Sequence, residues 1–131
     1  MSANCVFCHL DEKRRLFSNN LAIAIADAFP ASRGHTLIIP KRHFVSLFDA
    51  TDEERSALWE LVEQSRQHLR SKYSPDGFNI GINDGIAAGQ TVMHLHIHVI
   101  PRYAGDVEDP RGGVRWVMPD KAKYWESDAD V

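Results

Sequence analysis

Three histidines alternate with apolar residues near the C-terminal third of the chain, at His94, His96 and His98. In an extended strand alternate side chains share a face, so the three imidazoles would stand in a row about 6.5–7 Å apart. The side chains on the opposite face, which would meet a core, are those of Met93, Leu95, Ile97 and Val99. Near neutral pH imidazole is a nucleophile, proton carrier, phosphate donor and metal ligand. The run therefore predicts a rigid strand with a reactive histidine stripe.

A loop of small residues comes directly before this run and contains Asn83, Gly89, Gln90 and Thr91. Backbone N–H groups in glycine-rich turns can approach an anion closely. Gln90 and Thr91 add neutral hydrogen-bond donors. Most loops of this composition are plain turns, but next to three histidines the loop predicts phosphate binding.

Asp27 and His35 stand at the ends of two apolar segments. Asp27 is either an ordinary turn residue or, as in other nucleotide folds, an acid that accepts the hydroxyls of a ribose. His35 is either a surface or capping residue or part of the site. The residues alone leave both alternatives open.

Cys5 and Cys8, the only two cysteines, are spaced C-x-x-C. In a reducing compartment this spacing indicates metal or redox chemistry rather than a structural disulfide. Together with two histidines the pair has the composition of a tetrahedral zinc site, and His43 and one of the three alternating histidines are candidate partners. Two free thiols on a loose N-terminus remain the alternative.

Length and composition limit the classes of protein to which the chain can belong. Its 131 residues suit one domain with its own core, and its net charge of −3 gives no basic field for nucleic acid or acidic lipid. No segment has the apolar length of a membrane span, and the first residues lack the pattern of a secretory signal. We therefore expect a cytoplasmic protein that binds neither nucleic acid nor membrane.

Four strands and a long helix are expected to position these residues. Alternating or continuous apolar residues predict strands over 21–26, 35–40, 78–82 and 93–100. A capping box at Thr51 begins a helix that runs to about Tyr73. Two strands, a helix and two strands indicate an antiparallel α+β layer. We expect a domain over residues 1–105 and a C-terminal arm over 106–131, packed on or near it, with little regular structure.

His94, His96 and His98, here called the triad, and the residues that flank them resemble the signature of the histidine triad (HIT) superfamily. The resemblance covers about residues 5–105 and includes Gly34-His35, Pro40 to His43 and Asn83-Asp84-Gly85. Gly89 to Val92 before the triad and Pro101-Arg102 after it resemble the fragile histidine triad branch, whose members are dinucleoside polyphosphate hydrolases. This implies an α+β HIT-like fold with a five-stranded antiparallel sheet, a long and a short helix, and a homodimer.

The resemblance also implies roles for individual residues. His96 matches the nucleophile that attacks the α-phosphorus, and His98 matches the donor to the phosphate or leaving group. Gln90, with the turn from Gly89 to Thr91, matches the phosphate-binding segment. Asn83 falls where the branch often has glutamine. The remaining substrate-site residues are Asp27 for the ribose, His35, and Ile25, Leu37 and Phe7 for the base.

The resemblance to HIT proteins with an N-terminal C-x-x-C implies a structural zinc ion, with Cys5, Cys8, His43 and His94 as its four ligands. His94 would then belong to both the triad and the metal site. We also expect that a Mg²⁺ ion can bind together with the substrate phosphates.

Other functions use the same residues. A purine nucleoside phosphoramidase or another nucleotidyl hydrolase would share the site. A nucleotide- or zinc-binding regulatory module would bind with little turnover. In a metal-dependent enzyme, the catalytic metal would sit on the triad itself.

Overall fold

A single antiparallel sheet of five strands forms the framework of the chain. The computed structural model describes residues 3–126. The strands are β1 (Arg15–Ser18), β2 (Ala22–Ala26), β3 (Thr36–Pro40), β4 (Gly77–Gly81) and β5 (Ile97–Arg102), in the spatial order β1-β2-β3-β5-β4. The predicted five-stranded α+β fold is thereby confirmed.

One long helix, α1 (Asp52–Tyr73), covers one face of the sheet. At its N-terminus the Thr51 hydroxyl accepts from the Glu54 N–H, and the Glu54 carboxylate accepts from the Thr51 N–H, which makes the predicted capping box. The helix ends at Tyr73 and is capped by Ser74, whose backbone is left-handed with φ of 52° and which precedes a proline. Its buried face carries Leu58, Leu61, Val62, Ser65 and Leu69.

Strand alternation divides the core between the two faces of the sheet. Ile97 and Val99 of β5 pack with Ile38 of β3 against α1. His98 is paired across the sheet with Leu37, so both point to the face without the helix. On that face the N-terminal segment covers the side chains of β2 and β3, and Cys5 and Phe7 pack there against Ile23, Ile25, Leu37 and Ile39.

The histidine run is only partly a strand, which corrects the predicted span of 93–100. β5 begins at Ile97, and the N–H of Leu95 donates to the carbonyl of Phe44 outside the sheet. Leu95, Ile97 and Val99 are buried as predicted, but Met93 is exposed. The alternating pattern identified the buried side chains correctly and missed this departure of the backbone from the sheet.

Two further elements have no clear signal in the sequence pattern. β1 is short and its residues are mostly exposed, so it has no apolar periodicity to reveal it. The arm contains a 3-10 helix at Gly113–Val117 and α2 (Pro119–Ala122). It packs on the helix-free face of the sheet, where Gly113 lies beside the amide of Asn79. The expectations for residues 1–2 and 127–131 fall outside the described residues.

Candidate active site

His96 is held in one tautomer by the backbone two residues earlier. Its Nδ1 lies 2.9 Å from the carbonyl oxygen of His94, and a carbonyl can only accept, so Nδ1 carries the proton. Nε2 of the neutral ring is then an unprotonated lone pair. The side chain is 8% exposed. Nδ1 is thus fixed as the donor, and Nε2 is the ring nitrogen placed to act as a nucleophile.

His98 and His35 form a hydrogen-bonded pair beside it. The N–H of Ala31 donates to Nδ1 of His35 over 2.9 Å, so the proton of His35 is on Nε2. That Nε2 lies 2.9 Å from Nδ1 of His98 and 3.3 Å from a carboxylate oxygen of Asp27. Nδ1 of His98 therefore accepts, and its Nε2–H is left as a donor. The ring centroids of His96 and His98 are 5.2 Å apart, so donor and nucleophile are neighbours.

Burial keeps this pair of imidazoles neutral. Desolvation, reinforced by the neighbouring His96 and His35, lowers the pKa of His98 to about 4, although Asp27 opposes the shift. Burial also lowers the pKa of His35, again against Asp27. At neutral pH both rings are uncharged, which agrees with the tautomers that the hydrogen bonds require.

His94 faces away from this pair, toward the N-terminal cysteines. Its Nε2–H donates to the Pro40 carbonyl over 2.8 Å, which leaves Nδ1 unprotonated. Nδ1 lies 3.1 Å from Nδ1 of His43, 3.5 Å from Sγ of Cys5 and 3.6 Å from Sγ of Cys8. Burial lowers the pKa of His94, which keeps it in the neutral form that binds metals. The ring is fully buried, and its role as the first member of the triad stays a prediction.

The four side chains have the spacing of a tetrahedral metal site. With Zn–N near 2.05 Å and Zn–S near 2.3 Å, tetrahedral geometry puts two nitrogens about 3.3 Å apart and a nitrogen and a sulfur about 3.6 Å apart. The nitrogens of His94 and His43 are 3.1 Å apart, and Sγ of Cys8 is 3.4 Å from Nδ1 of His43. All four donor atoms lie within 4.8 Å of one another. Cys5, Cys8, His43 and His94 therefore form a candidate metal site.

Phe7 connects the candidate metal site to the triad. It lies between the two cysteines in sequence, and its ring centroid is 5.2 Å from that of His96 and 5.9 Å from that of His94. Phe7, Ile25 and Leu37 belong to one apolar cluster, as expected for residues of a common slot. All three are buried, so in this conformation Phe7 fills the place next to His96.

The loop before the triad is supported by Gln90. Its Oε1 accepts from the N–H of Gly85, and its Nε2 donates to the carbonyls of Val45 and Val92. Both amide protons are used, so the prediction that Gln90 donates to phosphate does not fit this conformation. Its amide fixes the loop shape instead, a function of glutamine that loop composition does not reveal.

The other predicted substrate-site residues differ in exposure and contacts. Thr91 is exposed and Asn83 half-buried, and the Asn83 amide nitrogen lies 4.0 Å from the Cβ position of Gly89. Gly89 has φ of 96°, a conformation that favours glycine. Asp27 accepts from the N–H of Phe29 as well as facing His35. Backbone groups of Ala31 and Pro40, which orient two histidines, carry no signal in sequence.

Comparison with known proteins identifies the family. The profile described as the HIT domain matches residues 11–105. The chain belongs to the HIT domain family. A HIT-like protein of Mycoplasma pneumoniae, named as uncharacterized, is 39% identical to it over 104 residues, 76% of this chain and 72% of the relative.

Two further HIT relatives have informative names. A zinc-bound histidine triad family protein of Mycobacterium smegmatis superposes with a TM-score of 0.72 at 35% identity, covering 92% of this chain and 95% of that one. The adenylylsulfatase HINT3 of Arabidopsis thaliana is 35% identical over 107 residues, 79% of this chain and 54% of that protein. The HIT family therefore includes a named hydrolase and a zinc-bound member.

Proposed function

We propose that this HIT protein is a nucleotide hydrolase that cleaves dinucleoside polyphosphates, such as diadenosine tri- and tetraphosphate, at the α-phosphorus through a nucleotidyl-His96 intermediate. The single observation that carries the proposal is the hydrogen bond from His96 Nδ1–H to the carbonyl of His94, which leaves Nε2 as a free lone pair. The adjacent His98 has the complementary form, with Nε2–H as donor.

The reaction proceeds in two displacements. In the first, Nε2 of His96 forms a bond to the α-phosphorus, and the bond to the bridging oxygen breaks with its electron pair on the departing phosphate. The Nε2–H of His98 donates to that developing charge. In the second, a water oxygen attacks the phosphorus, the P–N bond returns its pair to His96, and the proton of the water passes to solvent.

The residues around the triad support the proposal that the substrate contains a nucleotide. Ile25 and Leu37 with Phe7 form the apolar wall for a base, and Asp27 stands where a ribose hydroxyl could be accepted. Because Phe7 is packed against His96, we expect its ring to shift when the nucleoside enters. The loop at Gly89 and Thr91, with Asn83, would approach the phosphates, and any Mg²⁺ would accompany those phosphates.

Zinc is the metal that the four-residue cluster fits best. Two thiolates and two imidazoles are a closed ligand set, and the spacing of the donors matches it. Bound zinc would cross-link the N-terminal segment to the end of β3 and to His94. It would thereby hold Phe7 and the His94 carbonyl beside His96.

We also propose a homodimer formed through β4. This strand lies at the edge of the sheet, with β5 on its only paired side among the described residues. An unpaired edge with half-buried apolar side chains favours association with a second copy. Light scattering at micromolar concentration tests it, with twice the chain mass expected.

Product analysis of a substrate panel tests the function. The purified protein is incubated separately with diadenosine triphosphate, diadenosine tetraphosphate, adenosine phosphoramidate and adenylyl sulfate, and kcat/KM is measured for each. We expect a dinucleoside polyphosphate to have the highest value. A higher value for adenylyl sulfate, the substrate in the name of the Arabidopsis relative, or for the phosphoramidate would overturn the substrate class and leave the nucleophile in place.

Treatment with a chelator distinguishes a nucleophilic His96 from the alternative in which a metal on the triad is catalytic. If the catalytic metal sat on His96 and His98, brief chelation would abolish turnover. A nucleophilic His96 retains turnover, because the proposed metal is bound by other residues.

A further inference from the structure

A cleft of about 970 Å³ lies between the C-terminal arm and the sheet. Its floor is the cross-strand pair Ile100 and Asn79, and its walls include Arg33, Tyr103, Trp116 and Lys123. This volume is at the upper end of the range of small-molecule sites. Nothing in the proposed function so far uses the cleft or the arm.

The cleft continues the row of triad side chains. His98 and Ile100 are two residues apart on β5, so they share a face and lie about 6.6 Å apart. Gly81, opposite His98 on β4, places no side chain beside His98. Ala31, which lines the cleft, also donates its N–H to His35. The cleft therefore begins at Ile100, the next residue after the donor histidine on that face of β5.

The cleft lies on the opposite side of β5 from the apolar wall. Ile25 and Leu37 belong to β2 and β3, whereas the cleft lies over β4 and the end of β5. In a displacement the entering nucleophile and the leaving oxygen are in line on opposite sides of the phosphorus. Nε2 of His96 is that nucleophile, and His98 and then Ile100 follow His96 on the same face, so a leaving oxygen on the far side of the phosphorus would lie toward the cleft.

The lining has the chemistry of a nucleotide site. Trp116 offers an exposed indole whose N–H is already bonded to the Arg111 carbonyl, so its ring faces are available for stacking. Arg33 and Lys123 form no ion pair with any residue between 3 and 126, and the Arg33 guanidinium lies over the rings of Tyr73 and Tyr103. Arg102, in contrast, is neutralised by Asp106. The lining also holds three acids, Asp106, Glu108 and Asp109, so the cations and the aromatic ring, rather than net charge, recognise the ligand.

We propose that this cleft binds the leaving nucleotide, with its base against Trp116 and its phosphates toward Arg33 and Lys123. The proposal rests on the proposed hydrolase function and adds the site that selects the second half of the substrate. It gives the arm a role in specificity, because a substrate with a small leaving group does not reach the cleft.

The test compares two substrates in matched variants. We measure the ratio of kcat/KM for diadenosine tetraphosphate to that for adenosine phosphoramidate. Trp116→Ala should lower the ratio about tenfold, since stacking of a base is worth about 1–3 kcal/mol. Trp116→Phe should recover most of it, and Trp59→Ala, a similarly exposed tryptophan on α1, should leave it unchanged. An unchanged ratio in Trp116→Ala overturns the proposal.

Two lysine variants test the same site if Trp116→Ala does not fold. Lys123→Ala should lower the same ratio, and Lys121→Ala, two residues away but outside the lining, should not. Equal ratios in the two lysine variants count against the cleft.

A binding measurement separates failure of this site from failure of the hydrolase. His96→Asn protein saturated with AMP is titrated with ADP by calorimetry, with and without Trp116→Ala. Weaker ADP binding in the double variant supports the cleft even if the wild type cleaves neither substrate. Equal binding overturns the cleft even if hydrolysis is established.

Discussion

The carbonyl oxygen of His94 accepts the Nδ1 proton of His96 over 2.9 Å. The same His94 directs its own Nδ1 at Cys5, Cys8 and His43. One residue thus sets the tautomer of the nucleophile through its backbone and belongs to a candidate metal site through its side chain. This links the N-terminal cysteines to the chemistry without placing a metal on the reacting atoms.

Replacing His96 should separate binding from turnover. His96→Asn removes the nucleophile but leaves the apolar face of β5 intact, so the protein should fold and bind nucleotide. Turnover should fall below detection, because the two-step route is lost. Steady-state kinetics and calorimetry with a nonhydrolysed analogue measure both. More than a few per cent residual activity would falsify the assignment.

Replacing His98 should lower the rate less than replacing His96. Its Nε2–H donates to developing charge, and the loss of such a donor lowers kcat by about 10²–10³. His98→Asn should therefore retain a measurable rate. His68→Asn, on the exposed side of α1, is the matched control and should match wild type. A loss as complete as that of His96→Asn would require a different role for His98.

The described sheet and helix were largely predictable, but the supports of the site were not. Helix α1 and the buried side chains of β5 follow from period and spacing. The convergence of His43 with the cysteines follows from the resemblance to HIT proteins, not from any local pattern. The hydrogen bonds from the Leu95 N–H to the Phe44 carbonyl and from the Gln90 side chain to the Val45 carbonyl depend on tertiary packing. Such contacts join segments about 50 residues apart, and no local pattern encodes them.

The zinc site has a structural consequence. Purified protein should hold close to one zinc per chain, and Cys5→Ser with Cys8→Ser should lose it. With zinc at about 100 times its Kd, binding stabilises the fold by roughly 3 kcal/mol, so the double variant should melt earlier yet keep activity at low temperature. Metal analysis and thermal melts measure this. A metal-free wild type with two titratable thiols would exclude the site.

Stability should depend on the buried histidines. Burial holds the pKa of His98 near 4, below its unfolded value of 6.5, so between these values the unfolded chain binds more protons. This contribution is fully present above pH 6.5 and is lost as pH falls toward 4. Thermal melts should show Tm falling in this window, and less steeply in His98→Asn. An equal slope in His98→Asn would mean that His98 does not titrate as described.

Gly34 should tolerate no side chain. It has φ of +93°, and a Cβ there would lie 2.9 Å from Cδ2 of Leu69 and 3.0 Å from the ring of Tyr73. Gly34→Ala should lower the free energy of unfolding by about 1–2 kcal/mol through backbone strain and by about 1–3 kcal/mol more through overpacking. Gly105→Ala, with φ of +84° and open space, should lose only the first part. Urea unfolding compares them, and equal losses would remove the packing explanation.

Trapping the intermediate tests the central claim most directly. The protein is mixed with diadenosine tetraphosphate labelled in the α-phosphate, quenched within milliseconds under alkaline denaturing conditions that preserve P–N bonds, and mapped by peptide mass spectrometry. We expect one AMP group on the peptide that contains His96, absent from His96→Asn. AMP formed in a single turnover, with no adduct at any quench time, would contradict a covalent His96 intermediate.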